Sequence, residues 1–555
     1  MTAILADHII SPIGCSTAAN LAAVQNGCSA LRVYEDSLLE PYCASLLPDR
    51  PLIDGLTRFE TLCVEAIRHA AAEQYASLVA DEDTVLIIST TKGNIEHLAT
   101  GDDPLLTSSA QKIADNCGNL NTPVVVSNAC ISGVCAIITA MRLLDAGAYR
   151  HAVVVGCDVL SPFIISGFQS FKALSAEPCR PFDKSRMGLN LGEAAACMLL
   201  TADETLAADA CGTIEDGAIH NDANHISGPS RTGEGSLRCL MDVMGAADDI
   251  AFVNVHGTAT AYNDEMESIA ITRAGLQDVP VNGLKGYFGH TLGAAGLLET
   301  ILSLHALEQG LILPTRGFSE QGTSYAVNIS AAMRSTDRRE FIKLLSGFGG
   351  CNAAIRVRVG APKKAAAHAV QHCDLHQVAE VRLTTEGAWV NGKQLPATEH
   401  GEALLTELYR TYVNEYPKFF KMDTLCRMGF IASELLLQAT GEERFVPRED
   451  RAIVLGNSSA SLKNDTDYQA TILPDNYYPS PSLFVYTLPN IVTGEIAIRN
   501  KYFGESSFYV LQREADLQPL AELAMQQPDT RSVLTGWVEC STKQNWYAHL
   551  VLLTK

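Results

Sequence analysis

Through residues 1–360, short apolar runs alternate with stretches whose apolar positions recur every three or four residues. The runs Thr84–Ser89, Val124–Asn128, His151–Gly156, Ala194–Leu200, Ile250–Val255 and Leu344–Gly347 predict strands. The patterns at 57–74, 131–146 and 292–309 predict helices between them. Such alternation implies an α/β sheet covered by helices. At 361–372, APKKAAAHAVQH, the pattern dissolves into an Ala/Lys-rich stretch, expected to be a linker, and a second α/β region follows over 373–555.

The second region echoes the first. Phe59-Glu60-Thr61-Leu62-Cys63 has a counterpart in Met422-Asp423-Thr424-Leu425-Cys426, each opening a helix. Val85–Ser89 with the following Thr90-Thr91-Lys92-Gly93 resembles Ile453–Leu455 with Gly456-Asn457-Ser458-Ser459. Val153-Val154-Val155-Gly156 is answered by Val533-Leu534-Thr535-Gly536. Laying Gly133-Val134-Cys135 over Gly494-Glu495-Ile496 predicts a strand at Leu483–Thr487 and puts Ile491 where Cys130 stands. Matches in one order point to a duplicated unit. Nothing resembling 180–360 recurs before residue 555.

A chain of 555 residues exceeds one ordinary core, so two to four domains are expected. Its 47% hydrophobic and 19% charged content fits a packed enzyme rather than a disordered chain. The net charge of −22 argues against nucleic-acid or anionic-membrane binding. An acidic partner would then need a local basic patch, from Arg334, Arg338, Arg339 and Lys343, or from Lys172, Arg180, Lys184 and Arg186. No apolar run reaches membrane-spanning length, and the N-terminus lacks a signal-peptide pattern. The 16 cysteines include no CxxC pair, so free thiols in a reducing, cytoplasmic setting are expected, and no metal site.

One of those thiols ends a β-branched run. In Val124-Val125-Val126-Ser127-Asn128-Ala129-Cys130, the cysteine falls at a strand-to-helix turn, where unpaired N–H groups and the helix dipole favour an anion. Three further segments carry chemistry. His256-Gly257-Thr258 follows an apolar strand and precedes Asp264 and Glu267; Lys285 and His290 stand five apart in KGYFGHTLGAAG; and Gly347-Phe348-Gly349-Gly350-Cys351-Asn352 is a glycine turn after a strand.

With these motifs and RPFDKSRMGLNLGEAA (180–195), residues 1–360 resemble the β-ketoacyl synthases of the thiolase superfamily, motif by motif and in family order. The resemblance implies a thiolase-like fold of duplicated α/β halves, layered α-β-α-β-α, to which 373–555 would add an extra first half. It implies decarboxylative Claisen condensation: Cys130 holds the acyl chain as a thioester, His256 and His290 stabilise the enolate, and the N–H groups of Cys130 and Phe348 receive the oxyanion. It further implies that a buried Lys285 pairs with Glu267, with Asp264 in the same network, and that Phe348 gates the acyl pocket, although Phe348 reads equally well as an ordinary core aromatic. Phe168, Met187 and Leu189 read equally well as pocket lining or ordinary core.

Implied partners are an acyl carrier protein and the malonyl and acyl thioesters on its phosphopantetheine, with no further cofactor. An orphan half resembling a chain-length factor would pack on the ketosynthase dimer face, strand Leu483–Thr487 against Val124–Asn128, making a pseudo-heterodimer; the alternative is a degenerate appendage beside an ordinary homodimer. Two other readings stand beside this one. The chain could be a non-catalytic chain-length or scaffold subunit, or a biosynthetic thiolase using Cys351 as its base. Two features depart from the family pattern: 360 residues is short, with trimmed loops expected between 30 and 60, and Leu189 stands where the motif usually has phenylalanine.

Overall fold

The computed structural model describes residues 2–35, 40–362, 375–473 and 479–555. Of the linker expected at 361–372, only Ala361 and Pro362 are among them.

The fold repeats one five-stranded sheet three times. In the first repeat the order is Val124–Val126, Thr84–Ser89, His151–Asp158, Ala194–Thr201 and Thr2–Ile10, the first three parallel and each later pairing antiparallel. Val281–Asn282, Ile250–Asn254, Glu340–Gly347, Cys351–Val359 and Gly212–Asn221 follow the same senses in the second. So do Ser506–Val510, Arg451–Asn457, Ser532–Thr542, Asn545–Thr554 and His376–Thr384 in the third.

Helices Ser132–Asp145 and Ala295–Glu308 belong to the first and second repeats and pack against each other. Both are apolar nearly all round, as helices enclosed by protein must be. Their approach is close: a Cβ on Gly133 would come within 2.9 Å of the Gly296 Cα, so glycine is required there. Helix Arg58–Ala71 starts with a Thr57/Glu60 capping box, and its echo Thr424–Ala439 starts on Asp423, which accepts from the Cys426 N–H.

The third repeat joins the first edge to edge. Ser506–Val510 pairs antiparallel with Val124–Val126, setting Tyr509 opposite Val126 and Val510 opposite Val125. Just beyond, the Ser127 N–H reaches the Phe508 carbonyl at 3.3 Å, and the Asn128 side chain accepts from the Phe508 N–H at 2.8 Å. Two ion pairs buried between the repeats, Arg142–Glu505 and Lys92–Asp465, each close at 2.7 Å. The edge of Val124–Val126 is thereby covered within the chain.

This corrects two expectations. Leu483–Thr487 is not a strand: Pro481–Val485 is a short helix with Ser480 as its side-chain cap and Pro481 in its first turn. The strand beside Val124–Val126 is Ser506–Val510, so Ile491 does not occupy the place of Cys130. Val126 lies beside Ser89 and Ser89 beside Gly156, as Phe508 lies beside Leu455 and Leu455 beside Gly536. Four residues past Val126 is Cys130; four past Phe508 is Gln512, an exposed amide.

Candidate active site

Cys130 sits in a single 3₁₀ turn, Ala129–Ile131, immediately before helix Ser132–Asp145. Ala129 takes φ +49°, and Ser132 ties the turn by donating to the Ala129 carbonyl at 2.6 Å while accepting the Asn128 N–H at 2.8 Å. The thiol is therefore held on a strained elbow at a helix start.

His256 follows strand Ile250–Asn254 on a turn where Gly257 has φ +54°. Glu267 fixes that turn, accepting from the His256 N–H at 2.6 Å, the Gly257 N–H at 2.8 Å and the Asn263 amide at 2.8 Å. His290 comes after Gly289 (φ +68°), and its N–H donates to the Asn190 carbonyl at 2.7 Å. The two imidazoles meet edge to face with centroids 5.0 Å apart. A ring nitrogen from each and the Cys130 sulfur all lie within 4.8 Å of one another.

The protonation of His290 follows from its neighbours. Its Nδ1 accepts the Leu292 N–H at 3.2 Å, so in the neutral ring the proton is on Nε2, which has no partner among the described residues. His256 Nδ1 is likewise buried without one. Burial, reinforced by the positive charge of Lys285, holds both histidines well below the usual imidazole range. They are neutral at pH 7 and can donate a proton in a hydrogen bond without carrying charge.

The Cys130 thiol is pushed up to about 12 by burial, which outweighs the opposing pull of Lys285 and of the N–H groups of Cys130 and Phe348. The helix start thus does not make a resting thiolate, contrary to the expectation from its position. The helix start supplies one N–H facing the sulfur, that of Cys130, and the glycine turn supplies the other, that of Phe348.

Lys285 has a different partner from the one expected. It pairs with Glu299 at 2.9 Å, and Lys343 contacts the other oxygen of the same carboxylate. All three are buried. Burial alone would raise the Glu299 carboxyl, but Lys285 and Lys343 together hold it below its ordinary range. Burial lowers the Lys343 ammonium to about 8 against the opposing charge of Glu299. Glu267 instead grips backbone, and burial with the nearby Asp264 pushes its carboxyl up to about 7. Asp264 accepts from the Phe182 N–H at 2.7 Å. Neither Glu299 nor Lys343 was singled out for this role, yet both carried a signal: each is a lone charge inside an apolar run, LLETIL and FIKLLS. Lys343 accordingly leaves the proposed basic surface patch, being wholly buried.

Cys130, His256 and His290 open into a cavity of about 490 Å³ whose lining includes Phe168, Met187, Leu189 and Phe348. The three residues left open between core and pocket thus line the pocket, and Met187 is 77% exposed at its mouth. A second space, of about 30 Å³, also touches Cys130 and is lined by Ile164, Phe168, Phe348, Lys92, Phe484 and Leu488. Phe484 and Leu488 come from the third repeat. Cys351 lines neither space; it is buried, with its sulfur against the Phe348 carbonyl at 3.2 Å.

Residues 81–205 match the family described as beta-ketoacyl synthase, N-terminal domain, and residues 211–319 match the corresponding C-terminal domain. Among curated proteins, the ketoacyl synthase alpha subunit of the tetracenomycin polyketide synthase of Streptomyces glaucescens is 31% identical over 269 residues, 45% of this chain and 62% of that protein. The 3-oxoacyl-[acyl-carrier-protein] synthase 2 of Vibrio cholerae is 29% identical over 300 residues, 47% of this chain and 72% of its own. The chain thus spans 62% and 60% of the length of the first two curated relatives it matches. Of solved structures, the PfaC keto synthase–chain length factor superposes on 100% of this chain and 78% of its own, with a TM-score of 0.82 at 13% identity, a likeness of fold. The ishigamide ketosynthase/chain length factor covers 64% of this chain and 98% of its own, with a TM-score of 0.58 at 25% identity. The fold is that of the thiolase-like ketosynthases.

Proposed function

We propose that the chain, whose residues 81–205 and 211–319 match the N- and C-terminal domains of beta-ketoacyl synthases, catalyses decarboxylative Claisen condensation of an acyl thioester with malonyl thioester carried by an acyl carrier protein. The observation that carries the reading is the convergence of one thiol and two neutral imidazoles at the head of a cavity, with the Nε2–H of His290 unpartnered.

In the first half-reaction the Cys130 sulfur adds to the acyl carbonyl. Because the resting thiol is neutral, its proton must leave as the bond forms; the Nδ1 of His290 already accepts the Leu292 N–H, so His256 is the base within reach. The proton ends on the departing carrier thiol. The tetrahedral oxyanion faces the N–H groups of Cys130 and Phe348, each such donor being worth about 3–4 kcal/mol. Malonyl thioester then places its carbonyl oxygen at the two histidines. Loss of carbon dioxide leaves an enolate that their N–H groups stabilise, and its α-carbon attacks the Cys130 thioester. Collapse of the second oxyanion frees the sulfur and releases the β-ketoacyl thioester.

Residues 1–360 form the catalytic domain in this reading. The third repeat, with Gln512 in the place of the thiol, is a silent unit resembling a chain-length factor. It occupies the edge through which the two would otherwise pair, as a pseudo-heterodimer within one chain. No further cofactor is required, since the carrier's phosphopantetheine delivers both substrates. The reading of the whole chain as a non-catalytic scaffold is disfavoured by the intact Cys130–His256–His290 cluster, and the thiolase reading by the seclusion of Cys351 from the cavity.

Incubation of the full chain with an acyl-carrier thioester and mass analysis of the Cys130 peptide tests the proposal. An acyl adduct that is absent in Cys130→Ala and is discharged as β-ketoacyl product by malonyl carrier is expected. A wild-type protein that forms no adduct with acyl donors of any length would overturn it.

A further inference from the structure

The glycine turn that carries the Phe348 N–H is held from the third repeat. Asn490, the residue before helix Ile491–Asn500, donates its amide to the Phe348 carbonyl at 2.8 Å. A carbonyl accepts only from a donor, so the Asn490 Nδ2 faces Phe348, and its Oδ1 is left buried without a partner among the described residues. The other side of the same peptide is held as well: the Gly349 N–H donates to the Ile226 carbonyl at 2.6 Å. The Gly349 carbonyl accepts from Asn221 at 3.0 Å. Helix Ile491–Asn500 presses on the turn so closely that a Cβ on Gly494 would stand 2.5 Å from the Gly349 oxygen. Gly349 itself has φ +92°. With the Phe348–Gly349 peptide pinned at its oxygen and its nitrogen, little freedom remains to rotate Phe348, whose own N–H faces the Cys130 sulfur.

We propose that Asn490 is a positioning residue for the acyl-transfer chemistry, aiming the oxyanion-hole N–H of Phe348 at Cys130 from the silent third repeat. The inference rests on the condensing activity proposed above. It gives the third repeat a part in the rate of the reaction, separate from any effect on the length of the acyl chain. Asn490 is 1% exposed and touches no substrate space, so its effect passes entirely through the turn.

The test compares two reactions of the same sulfur in the full chain. Acyl transfer to Cys130 builds an oxyanion; alkylation of Cys130 by iodoacetamide displaces iodide and builds none. In Asn490→Asp, which keeps the volume but sets an acceptor against the Phe348 carbonyl, and in Asn490→Ala, acyl transfer and condensation are expected to slow about 10- to 100-fold, part of the loss on removing an oxyanion donor outright. Alkylation, and decarboxylation of malonyl thioester at the histidines, should stay within about twofold of wild type. Equal losses in acylation and alkylation would mean that the site has collapsed and would overturn the proposal, as would unchanged acylation in Asn490→Asp. If Asn490→Ala does not fold, the near-isosteric Asn490→Asp decides. Failure of the wild-type chain to acylate Cys130 at all would refute the proposed function instead, so the two failures are distinct.

Discussion

Replacing Glu299 by glutamine tests whether the buried cation pair is what holds the histidine turn together. Lys285 and Lys343 both end on this one carboxylate, and all three side chains are at most 3% exposed. Glu299→Gln preserves volume but leaves two ammonium groups facing a neutral amide. Breaking a buried pair in this way costs about 3–5 kcal/mol, a large share of the roughly 5–15 kcal/mol that stabilises a folded protein. Lys343→Met leaves the Lys285–Glu299 pair but strands the second oxygen of Glu299 and the oxygens of Asn254 and Val255, which Lys343 serves at 2.7 and 3.2 Å. That change should cost about 1–3 kcal/mol. The two variants also differ with pH. The Lys343 ammonium is lowered from 10.5 to about 8 in the fold, so between pH 8 and 10.5 the unfolded chain binds a proton that the folded chain does not. Over that window this lysine makes stability rise with pH, by up to about 3 kcal/mol. The stability difference between wild type and Lys343→Met should widen accordingly. Urea unfolding at pH 7 and at steps from 8 to 10.5 measures both effects. If Glu299→Gln unfolds within 1 kcal/mol of wild type, or if the gap to Lys343→Met is flat with pH, the triad does not do what its geometry implies.

Two further outcomes can be checked on activity. Because His256 and His290 are held well below 6.5, they stay uncharged as the pH falls through that value. Malonyl decarboxylation should therefore show no loss with an apparent pKa near 6.5, and a protonation step there in the initial-rate profile would refute the neutral-imidazole reading. Phe484 lines the small space at Cys130 and packs on Phe163, Phe168 and Phe171. Phe484→Ala should shift the longest acyl thioester that loads Cys130 upward by several carbons, at a stability cost of about 3–5 kcal/mol; an unchanged chain-length profile across a series of acyl donors would exclude this ring as the stop.

The residues that react were legible because each stands on a turn that the local sequence spells out. Cys130 follows three valines, His256 a run of apolar residues and then precedes a glycine, and His290 follows Gly289. The partner of Lys285 was not legible. Glu267 and Glu299 are both acids on helices beginning just after a histidine turn, and which one meets the lysine depends on how helix Ala295–Glu308 lies against strand Glu340–Gly347. That is a packing fact with no local signature. It was also Lys343, an apparent surface charge, that completed the arrangement from that strand.

The third repeat was misread for a related reason. Leu483–Thr487 is five residues of apolar and polar character, too short for periodicity to separate a strand from a helix, and the Ser480-Pro481 cap that decides for the helix lies just ahead of it. Ser506–Val510 shows its role only in register, where Tyr509 faces Val126 across the join. Once the register is known, the consequence runs back to the chemistry. The strand that ends in the nucleophile elbow is paired on one side with its own repeat and on the other with the silent one. The turn facing the elbow is pinned by Asn490 from that same silent repeat. A copy with Gln512 where the first repeat has its thiol thus braces both backbone segments that supply the oxyanion N–H groups, which is a physical reason for the fold to keep it folded and attached.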